Sequence, residues 1–199
     1  MDPEVFQRAF DRFVLQEDQP NGTMFRYLLR RFAKRCDDYA VAYCSSRPLT
    51  APNELPEILR YFEDLGDPKR LEVPLIKLLN SRYLSMYPYS RFLILSWLTK
   101  HGSSRAPIVV AVRKQAFSPE NPSYVQAAAR QALGHIGHDS DLDRMAALLS
   151  SESDPIERAQ ILCCLRRLEK GRRNALAGRL KKEKPWGSLA STYVKQSAT

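Results

Sequence analysis

The chain has 199 residues, of which 44% are hydrophobic and 27% charged, and this composition fits a globular protein with one domain or two small ones. Its net charge of +9 favours an acidic partner over a basic one. No apolar run reaches the roughly 18 residues that a membrane-spanning helix needs. The N-terminal sequence lacks the basic and apolar regions of a secretory signal, so we expect a cytoplasmic protein without membrane association.

Four helices are predicted in the first half of the chain, because an N-cap residue precedes an apolar run with helical spacing at four positions. These cap residues are Asp2, Thr23, Asn53 and Asp67. The second helix extends to about Tyr43, and the third ends at Gly66. Pro74 lies inside the fourth apolar run, so that helix either kinks there or starts late, near Val73.

The fifth predicted helix contains the segment Phe92–Leu98, which is apolar on nearly all sides. A helix of this kind is buried on most of its faces, so we place it at the centre of the helical stack and expect Trp97 to be largely buried. A sixth helix is predicted over Ser103–Phe117, with Ser103 and Ser104 in the capping position.

Three more helices are predicted in the stretch that follows. Asn121 and Asp154 each stand in an N-cap position, and each precedes a proline, which already has a helical φ and loses no hydrogen bond at the first helical position. Gly137 and Gly171 lie just past apolar runs, where a glycine in the left-handed conformation can end a helix. Between Asn121 and Asp154, the spacing of apolar side chains also predicts a helix over Asp141–Ser150.

The predicted helices recur with a nearly constant period. The last two cap residues are 33 residues apart, and the segments Tyr89–Gly102 and Tyr124–Gly137 match in pattern at an offset of 35 residues, which aligns Leu98 with Leu133. Paired helices with such a period are typical of helical solenoids. The sequence therefore predicts an all-α fold, a HEAT-like helical-repeat solenoid of antiparallel helix pairs. The alternative is an irregular all-helical domain whose helix lengths coincide.

This architecture predicts a single helical-repeat domain over residues 1–199. Its N-terminal helices occupy residues 1–45, and its repeats occupy residues 53–184, ending in a short basic helix over Arg172–Lys184. Residues 185–199 form a tail, part of which can dock through Leu189, Tyr193 and Val194.

Positive charge is concentrated in two segments of the chain. Residues 158–199 contain eleven Lys or Arg and two Glu, a net charge of +9 that equals the charge of the whole chain, and the second predicted helix places five basic residues and no acid within ten residues. Such segments favour a polyanionic partner, because Lys and Arg contact phosphates without reading sequence; the alternative is an ordinary solvated helix face. The candidate nucleic-acid-binding residues are Arg26, Arg30, Arg31, Lys34, Arg35, Arg166, Arg167, Lys170, Arg172, Arg173, Arg179, Lys181, Lys182 and Lys184.

No set of residues in the sequence requires catalysis, and we expect neither a cofactor nor a metal ion. The chain has no glycine-rich phosphate loop, nucleophile elbow or zinc-protease motif. His135 and His138 flank Gly137 without further ligands nearby, so they are interpreted as a helix-end pair. Four cysteines fit neither a zinc spacing nor a disulfide framework, and we expect buried thiols in a reducing compartment. These are Cys36, Cys44, Cys163 and Cys164.

Three segments, Phe25–Arg31, Leu55–Phe62 and Met86–Leu98, carry a resemblance to a known family. With them, most of the chain resembles the helical-repeat region that follows the polymerase core in bacterial defence-associated reverse transcriptases. The finger, palm and catalytic Tyr-x-Asp-Asp elements of those enzymes are absent from the sequence. The resemblance therefore implies a non-catalytic region or subunit, accessory to a reverse transcriptase in phage defence, that holds RNA or template and mediates assembly. RNA is the favoured partner on this ground, with a reverse transcriptase core or another protein as a further one.

Two other functional classes fit a basic all-helical chain. Solenoids commonly bind proteins on a concave face, so one alternative is a protein-interaction scaffold. The other is a HEAT-like DNA glycosylase of the alkylation-repair type, which needs an acid and aromatic side chains facing a DNA-binding cleft. Asp37 or Asp38 with Tyr39 is the candidate set for that chemistry.

Overall fold

The structure is a computed structural model, and its described part consists of helices and the segments that join them, without a β-strand. It describes residues 4, 5, 8, 33–46, 54–64, 66–81, 87–151 and 155–180. The all-α prediction is confirmed for this part of the chain. None of its helices is both long enough and apolar enough to cross a membrane. The chain divides into two compact units, Met1–Leu93 and Ile94–Thr199.

Within residues 33–81, as far as the structure describes them, three helices of the first unit pack around a short 3₁₀ segment. The helices are α1 (Ala33–Ser46), α2 (Glu54–Asp64) and α3 (Glu72–Leu79), and the 3₁₀ segment is Pro68–Leu71. That segment contacts all three helices, and α1 also contacts α3. Its last residue, Leu71, is fully buried, so the connection between α2 and α3 contributes to the core.

Pro74 does not kink a helix. Of the two predicted outcomes, the late start of α3 is the one that the structure shows. The side chain of Asp67 accepts a hydrogen bond from the Lys69 N–H at 3.1 Å and so caps the 3₁₀ segment. The α-helix begins only at Glu72, which places Pro74 in its first turn. Backbone N–H groups in that turn have no partner within the helix, so a proline there costs no hydrogen bond.

Six further helices follow among the described residues, and the first of them contains the boundary between the two units. They are α4 (Pro88–His101), α5 (Ala106–Phe117), α6 (Ser123–Ile136), α7 (Asp139–Ser151), α8 (Pro155–Arg166) and α9 (Lys170–Leu180). Successive helices are in contact from α5 to α8, and two pairs of alternate helices also pack together, α6 with α8 and α7 with α9. Trp97 is 2% exposed, so its predicted burial is confirmed.

The 35-residue offset predicted from the sequence is present in the helices themselves. Helices α4 and α6 are each 14 residues long and begin 35 residues apart. The N–H of Gly102 donates to the Leu98 carbonyl at 2.9 Å, and the N–H of Gly137 donates to the Leu133 carbonyl at 2.8 Å. Both leucines are fully buried. The two segments therefore share length, core position and the hydrogen bond that closes the helix.

The prediction that Asn121 caps α6 is wrong. The helix begins at Ser123 after an extended Pro122, without a capping side chain. Asn121 is buried, and its amide N–H groups donate to the Gln115 main-chain carbonyl and side-chain oxygen, both at 3.0 Å. The carbonyl of Gln115 lies in the last turn of α5, where it lacks a helical partner. Asn121 therefore satisfies the end of the preceding helix instead of the start of its own.

Gly137 ends α6 as predicted, but in a different conformation. Its φ of −71° and ψ of 173° are extended, not left-handed. The glycine is needed because of a close approach: a Cβ at this position would lie 2.6 Å from the Leu133 carbonyl oxygen.

Two other predicted helix ends also differ from the structure. Gly171 is the second residue of α9 and does not terminate a helix, because α8 ends at Arg166. The apolar run continues to Leu168, but that residue is buried from a turn, with its N–H 3.4 Å from the Leu165 carbonyl oxygen. Helix α5 begins at Ala106, and Arg105, not a serine, precedes it.

Other predicted positions lie outside the described residues. They are the caps Asp2, Thr23, Asn53 and Asp154, the tail 185–199 and the end of the last predicted helix, residues 181–184.

Substitution of two glycines tests whether Gly137 ends α6 and Gly171 lies inside α9. Gly137→Ala should lower the free energy of unfolding by about 1–3 kcal/mol, because its Cβ would be forced against a backbone oxygen. Gly171→Ala should raise it by about 0.5–1 kcal/mol, because nothing lies within 4 Å of the added Cβ and alanine is the better helix former. Urea denaturation of both variants measures the difference; equal shifts, or a more stable Gly137→Ala, would contradict the assignment.

Candidate nucleic-acid interface

The predicted basic residues fall into three groups in the structure. Those outside the described residues are Arg26, Arg30, Arg31, Lys181, Lys182 and Lys184. Those whose backbone is helical but whose side chains are not described are Lys34, Arg35, Arg166 and Arg179. Those with described side chains are Arg167, Lys170, Arg172 and Arg173, all at the junction of α8 and α9.

Two of the cations with described side chains at this junction are exposed, in a segment that we call the basic turn, Arg167–Lys170. Arg167 and Lys170 are both exposed, as is Glu169, whereas Leu168 is buried. The Leu168 side chain packs on α6 so closely that a Cβ on Gly134 would lie 3.1 Å from its Cδ2. Neither cation makes a side-chain hydrogen bond or ion pair within the described part of the chain. The buried leucine thus anchors a turn whose cations face solvent.

Arg172 lies close by but has a structural role. Its guanidinium donates to the carbonyls of Gly134 at 2.8 Å, His135 at 3.0 Å and Gly137 at 2.6 Å. These carbonyls at the end of α6 lack helical partners, and a cation there also complements the negative end of the helix dipole. Arg172 therefore fastens the start of α9 to the end of α6, and most of its donors are unavailable to a phosphate.

The remaining described residues of the cluster differ in exposure. Arg173 is half-buried, whereas His135 and His138 are exposed on either side of Gly137. The contact of Arg172 with the His135 carbonyl brings this end of α6 beside the start of α9. No group of three potential metal ligands occurs among the residues that the structure describes.

A buried carboxylate joins α5 to α7. Asp141 is 2% exposed and accepts from Arg113 Nε at 2.5 Å, from Arg113 Nη2 at 3.0 Å and from the His138 N–H at 2.9 Å. Burial alone would raise the pKa of Asp141, but these hydrogen bonds and the positive charge of Arg113 outweigh it and lower that pKa. The same contact raises the pKa of Arg113.

A buried arginine joins α6 to α8 in the same way. Arg130 is 5% exposed and donates from Nη1 to Glu157 at 2.8 Å, from Nη2 to Gln126 at 2.6 Å and from Nε to the Ala116 carbonyl at 3.2 Å. Its whole guanidinium is therefore engaged within the fold, as a buried charge requires.

Neither pair was predicted from the sequence, although they share a register. Each arginine is the eighth residue of its helix, and each acid is the third residue of the helix two positions later. The sequence separations are accordingly 28 residues for Arg113 and Asp141 and 27 residues for Arg130 and Glu157. A recurring Arg-to-acid separation, shorter than the 35-residue offset between α4 and α6, is the signal that could have identified them.

The acids considered for a glycosylase are held within the first unit. Asp37 is buried, accepts from the Tyr61 hydroxyl at 2.8 Å and from the Asp67 N–H at 3.0 Å, and lies 3.8 Å from Arg70 Nη1. Asp38 pairs with Nη2 of the same arginine. Hydrogen bonding to Asp38 is the main cause that raises the pKa of Arg70. Both carboxylates thus connect α1 to the 3₁₀ segment.

The cysteines are not all buried. Cys44 and Cys164 are buried as predicted, whereas Cys163 is exposed, so the prediction is wrong for that residue because adjacent helical positions face different sides. Burial raises the pKa of the Cys164 thiol to about 11. The side chain of Cys36 lies outside those that the structure describes.

Comparison with protein-family models, with curated proteins and with solved structures finds no match to this chain.

Asp141→Asn tests the buried pair between α5 and α7. Near neutral pH the variant should lose about 1–3 kcal/mol of unfolding free energy, because the hydrogen bonds to a charged partner are weakened. The pKa of Asp141 is lowered in the folded state, so this stabilisation is present above the unfolded pKa and is lost as the pH falls through the folded one. The gap between the two proteins should therefore close on acidification below about pH 4.

Urea denaturation over a pH series measures that gap, and Glu120→Gln, which changes an exposed acid, is the control. A gap that is absent near neutral pH, or one that stays constant into acid, would contradict the role given to Asp141.

Proposed function

We propose that this chain is a non-catalytic nucleic-acid-binding protein whose ligand contacts are mainly to phosphate. The basic turn is the observation that carries the proposal. Arg113 and Arg130 are neutralised by acids within the fold, whereas Arg167 and Lys170 face solvent without an acidic partner within the described residues. They belong to the 42-residue segment 158–199, whose net charge equals that of the whole chain.

The scaffold that we propose is a HEAT-like stack of antiparallel helix pairs. In a two-layered stack each helix contacts its successor and the next helix of its own layer. The packing of α6 on α8 and of α7 on α9 fits this arrangement. The recurrence of one Arg-to-acid register in two successive pairs supports it as well. Such a stack offers a polyanion a long surface of repeated helix ends.

Recognition of this kind is electrostatic and insensitive to sequence. An arginine guanidinium can make two parallel hydrogen bonds to one phosphate, and a lysine ammonium acts as a point charge. Each phosphate that is neutralised releases condensed counterions, so the affinity must fall as salt rises.

RNA is the ligand that we favour, in a protein accessory to a reverse transcriptase in bacterial defence. The resemblance of residues 25–31, 55–62 and 86–98 to the helical-repeat region of those enzymes supports this choice, and cytoplasmic localisation goes with it. A protein-interaction scaffold is the alternative that the binding experiment separates from this proposal.

Charge reversal in the basic turn tests the proposal. Arg167→Glu combined with Lys170→Glu should weaken binding to RNA of any sequence, and each lost contact should reduce the slope of log K against log salt by about 0.7–0.9. The control combines Lys77→Glu with Lys114→Glu, which changes the net charge equally at exposed cations of α3 and α5. Arg172 is left intact because its change would loosen α9 from α6.

Fluorescence anisotropy with labelled RNA at several salt concentrations gives both the affinity and the slope. The control should bind nearly as tightly as the unchanged protein. Undetectable or salt-insensitive binding by the intact chain would reject the proposal in favour of the scaffold, which predicts a protein partner in a pull-down.

A further inference from the structure

A largely exposed tyrosine lies at the start of α4. Tyr89 is 63% exposed, the highest value among the exposed large hydrophobic side chains that the structure describes. Its ring stacks on Phe92, with the centroids 6.1 Å apart and the planes inclined by 23°. Phe92 lies one turn further along the same helix, so it holds the ring in place while most of the ring stays in solvent. Tyr87, two residues earlier in the chain, is 46% exposed.

The same position is exposed in the equivalent helix. Tyr89 is the second residue of α4, and Tyr124 is the second residue of α6, where it is 43% exposed. Core positions at the same 35-residue offset, such as Leu98 and Leu133, are fully buried in both helices. Exposure of a tyrosine at this register therefore recurs with the repeat, and it is not a single irregular surface residue.

We infer that Tyr89 and Tyr124 each stack on an unpaired base, so that the nucleic acid is single-stranded where it meets them. The inference rests on the proposed function and specifies its ligand. Bases present a π-face only when they are not enclosed in a duplex, and aromatic side chains bind that face with little dependence on sequence.

The charge of the chain favours a nucleic acid over an apolar peptide as the ligand of these tyrosines. Residues 158–199, whose net charge equals the +9 of the whole chain, attract a polyanion, whose phosphates their basic residues can neutralise. An exposed ring adds what phosphate contacts lack, which is discrimination between open bases and paired ones. The two kinds of contact therefore have different signatures: loss of a cation changes the salt slope, whereas loss of a ring changes the preference for single strands.

Three probes of equal length test the inference on the full chain: a labelled RNA strand without self-complementarity, its blunt duplex, and a strand of abasic residues. Tyr89→Ala should weaken binding of the single strand by about 5- to 150-fold, the range expected for one lost base stack. It should leave the duplex, the abasic strand and the salt slope unchanged. Tyr124→Ala should behave alike, and Tyr89→Phe should retain the affinity because it keeps the ring.

Val73→Ala is the control, since it removes a 50% exposed apolar side chain from α3, and thermal melts establish that all variants are folded. Equal losses on the three probes, or no loss with Tyr89→Ala while the intact chain still binds RNA, would overturn the inference and leave the proposed function standing. Absence of binding to every probe would reject both. Loss of a captured protein on Tyr89→Ala, with RNA binding unchanged, would make this surface a protein-docking site instead.

Discussion

Two arginine–carboxylate pairs constrain how the helices of the second unit are arranged. Each pair contains one almost fully buried charge, Asp141 in the first and Arg130 in the second. A buried charge left unpaired costs several kcal/mol, of order 3–5 when one partner is removed. Sliding or rotation of alternate helices against each other would therefore break these pairs. Beside these pairs, Arg172 bonds the start of α9 to the end of α6, next to the basic turn.

Helix content and core positions could be predicted from the sequence because both follow from periodicity. The offset that aligns Leu98 with Leu133 reflects a real equivalence, down to the same closing hydrogen bond in each helix. The ends of helices were less predictable, because their polar groups can bond to partners outside the helix. Asn121 bonds to the end of α5, and Gly137 is required by a close backbone approach, neither of which a local pattern reveals.

The candidate site was predictable only as a region. Composition alone locates the excess positive charge in residues 158–199, but it treats every arginine there alike. In the folded chain Arg172 is bound to three carbonyls, whereas Arg167, five residues earlier, is exposed. Arg172 differs because it lies beside carbonyl groups at the end of α6 that lack helical partners. Composition cannot show this contact, because the two segments are distant in the sequence. The exposure of Tyr89 and Tyr124 could not be predicted either, since the sequence alone does not distinguish an exposed tyrosine from a core tyrosine.

The proposed function and the inference about the tyrosines together require that the basic turn contacts phosphate and that the exposed rings stack on unpaired bases. Ultraviolet crosslinking of the intact chain to single-stranded RNA, followed by mass spectrometry of the crosslinked peptides, tests this most directly. We expect crosslinks in peptides that contain the basic turn and in peptides that contain Tyr89, and competition by excess unlabelled RNA should remove them. Crosslinks confined to other parts of the chain, such as α3 or α7, or their complete absence, would contradict it.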